Sequence, residues 1–211
     1  MNVDQNLEKY IENHSTKESE LLKLLEKETF RKTSHPNMLS GYLQGRILSF
    51  ISKLIQPKNI LEIGTFTGYA TLCMAEGLSE NGKIITIDCN KEIEFISKKY
   101  FELSEYSSQI IYHFGNALEI IPSLEQEFDL IFLDADKENY AKYYKIIKHK
   151  LKKGGVILAD NVLWYGKVAI EKNEDIQTQF LKDFNILVKN DIEMENIILP
   201  IRDGINCIRK K

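Results

Sequence analysis

Apolar residues recur along the chain at two spacings, and the change from one to the other divides it. Up to about residue 55 they return every three or four positions. Leu7, Tyr10 and Ile11 share one face of a first helix, and Leu21, Leu22, Leu24, Leu25 and Phe30 mark a second, with Lys and Glu between them. Ser34, His35, Pro36 and Asn37 break the pattern. It resumes as a helix over about 40–54, with Leu43, Ile47, Leu48, Ile51 and Leu54 expected to face inward, and Pro57 ends it.

Beyond that point short apolar runs alternate with helical stretches. Strands are predicted at 59–63, 83–88, 110–114, 128–134 and 154–160, and helices at 69–77, 91–101, 140–150 and 176–190. Two last runs, 194–199 and 204–208, read as a closing hairpin-like pair of strands. Strands of continuous Ile, Leu and Val are buried on both faces, as in a parallel sheet. Their alternation with helices predicts a doubly wound α/β fold. The expected organisation is one domain over 1–211, with a helical N-terminal extension (1–55) on an α/β core (56–211).

In open α/β sheets ligands bind beyond the carboxyl ends of the strands. Those ends carry Glu62 and Gly64, then Asp88, then Gly115, Asn116 and Ala117, then Asp134 with Asp136 and Lys137, and lastly Asp160 and Asn161. Four of the five end in a carboxylate, and this directs attention to that edge of the sheet. The first turn, in ILEIGTFTGY, has the spacing G-x-x-x-G. It is neither the G-x-G-x-x-G of nicotinamide enzymes nor a P-loop, and no lysine follows to meet phosphate. Glu62 would repel a pyrophosphate and suits a cationic ligand. The plainer reading is a tight strand–helix turn. Asp88 lies 24 residues beyond Gly64, where an acid accepts hydrogen bonds from ribose hydroxyls. It could equally cap the following helix, and the two roles can coexist. Asp134, Asp160 and Asn161 are hard oxygen donors that suit Mg²⁺, Mn²⁺ or Ca²⁺ rather than zinc. The alternative is that each Asp only caps a helix.

Composition narrows the class. With Lys+Arg 28 against Asp+Glu 31 the net charge is −3, which argues against nucleic acid as the main partner while leaving room for a local basic patch. Cys73, Cys89 and Cys207 show no CxxC spacing, so neither a disulfide framework nor a zinc site is indicated. The start MNVDQNLEKYIENHS is polar and acidic, unlike a signal peptide. No apolar run approaches the ~20 residues that span a bilayer. A soluble cytoplasmic protein is expected.

Taken together, ILEIGTFTGYATL, ITIDCNKE, FDLIFLDADKENY and GGVILADNVLWYGKV resemble the divalent-cation-dependent class I S-adenosylmethionine O-methyltransferases. That family includes the catechol and caffeoyl-coenzyme A O-methyltransferases and small bacterial relatives. The resemblance runs from about Ser34 through the closing LPIRDGINCIRKK, and LDADK followed by ADN is its specific part. It implies a Rossmann-like class I methyltransferase fold with a seven-stranded, mostly parallel sheet and one antiparallel strand. It implies S-adenosylmethionine as cofactor, together with Mg²⁺ (or Mn²⁺ or Ca²⁺).

Carried over position by position, Glu62 and the turn from Gly64 through Thr65 to Gly68 hold the methionine end of the cofactor. Asp88 matches the ribose acid, Asn116 and Ala117 the segment beside the adenine, and Met38 and Ser40 the pocket entrance. Tyr69 lies near the same turn, as a cofactor neighbour or as packing. Asp134, Asp160 and Asn161 match the metal ligands, with Asp134 also beside the cofactor, and Lys137 matches the general base. Two vicinal hydroxyls would chelate the cation, Lys137 would take a proton, and the oxygen would attack the sulfonium methyl in line.

The chain also departs from the family pattern. Ala135 and Asp136 stand where the animal catechol enzymes carry His and Trp, closer to the caffeoyl-coenzyme A and bacterial branches, yet the long insertion loops of the plant enzymes do not fit this length. The substrate wall is therefore open. Trp164 and Tyr165 would flank an aromatic acceptor or simply pack. Arg202 and Arg31 would meet an acidic or phosphate-bearing substrate or be solvated. His35 belongs to a substrate loop or a turn, and Asp136 lies behind the metal or caps a helix.

The leading function is O-methylation of a catechol-type small molecule. The rival is methylation of a hydroxyuridine in transfer RNA, for which Lys148, Lys150, Lys152, Lys153, Arg209, Lys210 and Lys211 would supply a basic face. A binding protein with a dead methyltransferase fold is opposed by the intact Asp134, Lys137, Asp160 and Asn161. A homodimer is expected from the resemblance.

Overall fold

The computed structural model describes residues 5–171 and 175–211. The first four residues of the expected N-terminal extension lie outside them. The helices are α1 (Gln5–Asn13), α2 (Glu20–Lys32), α3 (Gly41–Ile55), α4 (Tyr69–Ala75), α5 (Glu94–Leu103), α6 (Ala117–Ser123), α7 (Tyr140–Lys150) and α8 (Ile176–Lys189). The strands are β1 (Asn59–Ile63), β2 (Lys83–Asp88), β3 (Ile110–Phe114), β4 (Phe128–Leu133), β5 (Leu151–Ala159), β6 (Met194–Leu199) and β7 (Ile205–Lys210). Strand order is β3-β2-β1-β4-β5-β7-β6. The pairs β1/β4, β4/β5 and β2/β3 are parallel, whereas β7 runs antiparallel to both β5 and β6. This is the predicted mostly parallel sheet with one reversed strand. No described helix is long and apolar enough to cross a membrane.

The described residues cluster into two compact units. The first holds Asn59–Gly64 and Asn116–Lys211. Its central strand β4 is almost wholly apolar because helices cover it. Leu130, Ile131, Phe132 and Leu133 of β4 are buried, with Tyr140, Tyr144 and Ile147 of α7 and Leu181, Phe184 and Val188 of α8. The rings of Tyr140 and Tyr144 meet Phe184 edge-on, with centroids 5.3 and 6.0 Å away. Each such aromatic buries enough area to contribute roughly 2–3 kcal/mol. Register sets the strand ends level. Ile63 pairs with Leu133 and Leu133 with Ala159. The ladder runs one residue further, since Asp134 N donates to Ile63 O and Asp160 N to Leu133 O, both at 2.9 Å. Helix α6 was not legible in the sequence. It is short, contains Pro122, and starts where the Asn116 side chain accepts from Leu118 N.

The second unit holds residues 5–58 and Thr65–Gly115. Here the predicted face of α3 is corrected. Leu48 is buried as expected, but its buried neighbours are Gln44, Gly45, Ser49 and Ser52, and Leu54 is 70% exposed. The reason is close approach to α4. A Cβ on Gly45 would lie 2.5 Å from the Tyr69 ring, and Ser52 Oγ donates to Met74 O at 2.6 Å. Small residues win that face because a bulky one would hold the helices apart. Likewise Leu24 and Phe30 of α2 are exposed, whereas Leu22, Leu25 and Thr29 are buried.

Candidate active site

In the first unit, three strand ends and a turn bring a polar cluster together. Gly64 closes β1 at φ +96°, and a Cβ there would lie 1.8 Å from Asp134 O. Only glycine lets the chain leave β1 across the end of β4. After Asp134 the chain makes one 3₁₀ turn, Lys137–Asn139, and enters α7 at Tyr140. That turn folds Lys137 back. Its ammonium donates to Asp134 Oδ1 (3.1 Å), Asn161 Oδ1 (2.9 Å) and the Tyr140 hydroxyl (2.6 Å). Asp160, 2% exposed, accepts from Asn161 N at 2.8 Å. Asn161 has φ +58°, a left-handed conformation that Asn tolerates better than most residues. The fully buried Tyr140 hydroxyl reaches Asp160 O (3.0 Å) and Leu133 O (3.2 Å), donating to one at a time. Burial, reinforced by the Asp134 and Asp160 carboxylates, raises its pKa well above the usual phenol value. It stays a neutral phenol.

The donor chemistry fits a cation. Oxygens of Asp134 and Asn161 already converge on a positive charge, and Asp160 stands at the adjoining strand end. Among the described residues no three His, Cys, Asp or Glu side chains cluster as a metal site. The predicted set has only two carboxylates and is completed by an amide. Glu62, in the middle of β1's buried run, is fully buried, and its Oε1 receives no hydrogen bond from a described residue.

In the second unit the turn after β1 is held by its own polar groups. Asp88 Oδ2 accepts from Phe66 N and Oδ1 from Asn90 N, each at 2.7 Å. Asp88 does not cap α5, which begins at Glu94 behind Ile93. Each carboxylate oxygen keeps a lone pair for a further donor. Gly68 has φ +91°, and a Cβ there would lie 2.5 Å from the Phe101 ring. Thr65 shares a hydrogen bond with Thr86. The protein's own packing therefore accounts for both glycines of the motif. Phe66 takes φ +50°, a left-handed conformation that its residue type does not foretell. Its only signal in the sequence was its place between the two glycines.

The remaining predicted residues separate. Tyr69 is buried against Gly45 and donates its hydroxyl to Glu18, so the structure gives it a packing role. Met38 is 60% exposed in the 3₁₀ turn Pro36–Met38, Ser40 is buried before α3, and His35 is exposed. In the first unit, Trp164 donates its indole N–H to Asp175 (3.1 Å), the cap of α8, so the ring is tied to a helix start. Tyr165, 81% exposed, is free to meet a ligand with its ring, while its backbone N–H is fixed on Asp203. The loop is pinned to the 203–204 turn by Val162 N to Gly204 O (3.1 Å) and Leu163 N to Asp203 O (2.9 Å). Arg202, exposed at φ +49°, belongs to that turn. Asn116 and Ala117 open α6, and Asp136 accepts from the Tyr143 hydroxyl at 2.7 Å.

The sheet order, the reversed β7 and the acidic strand ends define a Rossmann-like fold of the class I methyltransferase type. The O-methyltransferase family model matches residues 12–211, and the chain belongs to that family. The match begins before Ser34, so it takes in α2 as well. The chain is 32% identical over 209 residues to a caffeoyl-CoA O-methyltransferase of Stellaria longipes, covering 92% of this chain and 85% of that one. It is 35% identical over 162 residues to a catechol O-methyltransferase of Niastella koreensis, covering 75% and 73%. The SAH-bound methyltransferase PaMTH1 of Podospora anserina superposes with a TM-score of 0.89 at 29% identity, covering 98% of this chain and 94% of that one.

Proposed function

We propose that the protein is a divalent-cation-dependent O-methyltransferase that moves the methyl group of S-adenosylmethionine to one hydroxyl of a vicinal dihydroxy aromatic. The observation that carries this reading is the Lys137 ammonium seated on oxygens of Asp134 and Asn161 beside Asp160. The names of the two relatives point to phenolic acceptors, and the SAH-bound neighbour supports the cofactor.

Asp134, Asp160 and Asn161 would hold the cation. When bound, it lowers the pKa of a coordinated hydroxyl and stabilises the oxyanion. The chain's own groups supply the rest. Lys137 Nζ is the group placed to take the acceptor's hydroxyl proton. Glu62 gives the cofactor's ammonium and sulfonium a negative counterpart. Asp88 offers its remaining lone pairs to the ribose, and the segment at Asn116 and Ala117 flanks the adenine. Tyr165, and Trp164 beside it, offer aromatic surface to the acceptor.

The basic residues on which the transfer RNA reading leans are largely engaged. Lys148 pairs with Asp191 and Glu193, Lys152 with Asp129, and Arg209 with Glu195. Lys150, Lys210 and Lys211 donate to backbone carbonyls. Six of the seven are thus bound locally, which weakens a phosphate-tracking role. The exposed Phe50 and Leu54 of α3 support the expected homodimer.

The test is methyl transfer from labelled S-adenosylmethionine to a panel of vicinal diphenols and to undermodified transfer RNA, with Mg²⁺ and with EDTA. Diphenol turnover that EDTA abolishes and Mg²⁺ restores is the expected result. Turnover indifferent to EDTA, or label in RNA alone, would overturn the reading.

A further inference from the structure

We infer that Lys137 and the divalent cation compete for the same oxygens, and that Tyr140 is the positioning residue that keeps the displaced ammonium beside the site. The inference rests on the proposed cation site and goes beyond it, because it concerns where the base resides when the cation is present.

An ammonium has three donors and no acceptor. Here three oxygens meet it: Asp134 Oδ1, Asn161 Oδ1 and the Tyr140 hydroxyl. Two of these are oxygens the cation needs. The two positive charges cannot share them, since they would repel strongly at such separations. Binding of the cation therefore requires the ammonium to give up Asp134 and Asn161. The third partner is different in kind. The Tyr140 hydroxyl is not among the proposed cation donors. It is fixed from behind by the carbonyls of Leu133 and Asp160, at the ends of β4 and β5. Its ring is fully buried and packed edge-on against Phe184. The same ring lies 4.6 Å from Nζ, centroid to nitrogen, and so offers its face to the charge as well. Tyr140 is thus a rigid seat about which the lysine can pivot without leaving the site. The stretch DADKENY encodes the arrangement: cation donor Asp134, base Lys137 three residues on, and seat Tyr140 three beyond that. The Asp203 carboxylate also feels the Lys137 charge and belongs to the same electrostatic neighbourhood.

The two residues should then affect cation affinity with opposite signs. Removing the ammonium frees two donors. Removing the seat takes away the one hydrogen bond that the ammonium retains once displaced, so displacement becomes harder. The experiment is a Mn²⁺ titration of the full chain, followed by electron paramagnetic resonance of the free ion, without cofactor or acceptor. The proteins are wild type, Lys137→Met, Tyr140→Phe and the double variant, each checked for folding by its thermal unfolding. Lys137→Met is expected to bind Mn²⁺ roughly tenfold more tightly, the scale of one or two charge-assisted hydrogen bonds. Tyr140→Phe is expected to bind about threefold more weakly, and that loss should vanish in the Lys137→Met background. Unchanged or weaker binding by Lys137→Met would overturn the competition. A Tyr140→Phe loss of equal size in both backgrounds would show a merely structural tyrosine and overturn the seat. Should Tyr140→Phe not fold, a crystal structure of the Mn²⁺-loaded wild type decides. Nζ on Tyr140 and off both donors is expected, and Nζ still on Asp134 or Asn161 overturns the inference. Absence of Mn²⁺ binding from every protein would sink the cation site itself, and this inference with it. Binding that ignores Lys137 sinks the inference alone.

Discussion

Two acidic strand ends of this molecule use their carboxylates in different ways. At the ends of β4 and β5, the Asp134 carboxylate and the Asn161 amide meet the Lys137 ammonium. At the end of β2, Asp88 accepts two backbone N–H groups of its own unit, from Phe66 and Asn90. In the first case the bonds join side-chain ends to one another, which a ligand can take over. In the second they hold the path of the main chain. A carboxylate of the first kind can be lost with little damage to the fold, whereas one of the second kind cannot.

The largest expected effect concerns neither carboxylate but the backbone that sets them. Gly64→Ala would drive a Cβ to 1.8 Å from Asp134 O at a φ that disfavours any side chain. A loss of at least about 4 kcal/mol is expected in denaturant unfolding, or failure to fold. A mild loss would mean that the β1 end is not fixed against β4. Next, Asp134→Asn should lower methyl-transfer kcat roughly a hundredfold or more while shifting Tm by only a few degrees. Comparable losses of activity and stability would erase the contrast drawn above. Asp88→Ala should do what Asp134→Asn does not. Leaving two backbone donors without their carboxylate should cost about 1–3 kcal/mol of stability, and cofactor affinity should fall as well. Unaltered stability would show that the turn holds without the acid.

The smallest effect comes from a carboxylate with no proposed part in the chemistry. Burial works to raise the pKa of Glu76, but hydrogen bonds from Arg46, Lys53 and Ser49 outweigh it and hold the group at about 2. A depressed folded pKa means that this stabilisation is present above about pH 4.5, and is lost as pH falls from there toward 2. Glu76→Gln should remove roughly 1–2 kcal/mol of stability at neutral pH and flatten the acid limb of stability against pH. An acid limb identical to that of wild type would refute the assignment.

Much of the first unit was legible from sequence, because continuous Ile and Leu runs ending in carboxylates are the signature of buried parallel strands. Asp134, Asp160 and Asn161 do fall at level strand ends, with Lys137 in the turn just beyond Asp134. What the sequence concealed depends on close approach or on left-handed backbone. The inward face of α3 is built from Gly45, Ser49 and Ser52, which no search for apolar periodicity would choose. Asp88 owes its second duty to Phe66 at φ +50°, which no propensity foretells. Tyr69 read either as a cofactor neighbour or as packing, and the structure shows it packed in the core. Tyr140 read only as the first residue of a helix, since a hydroxyl's partners cannot be seen in one dimension. Helix α6 stayed hidden because seven residues with an internal proline show no period.

The pairing of Ile63 with Leu133 and of Leu133 with Ala159 sets a limit on how such a chain can change in length. Residues added in the loops beyond Asn161 or ahead of β4 leave the donors where they are. One residue gained or lost inside β4 or β5 would move a donor by about 3.3 Å along the strand and turn it to the opposite face. Insertions are therefore affordable only outside the strands, where a loop can grow while the oxygens keep their places.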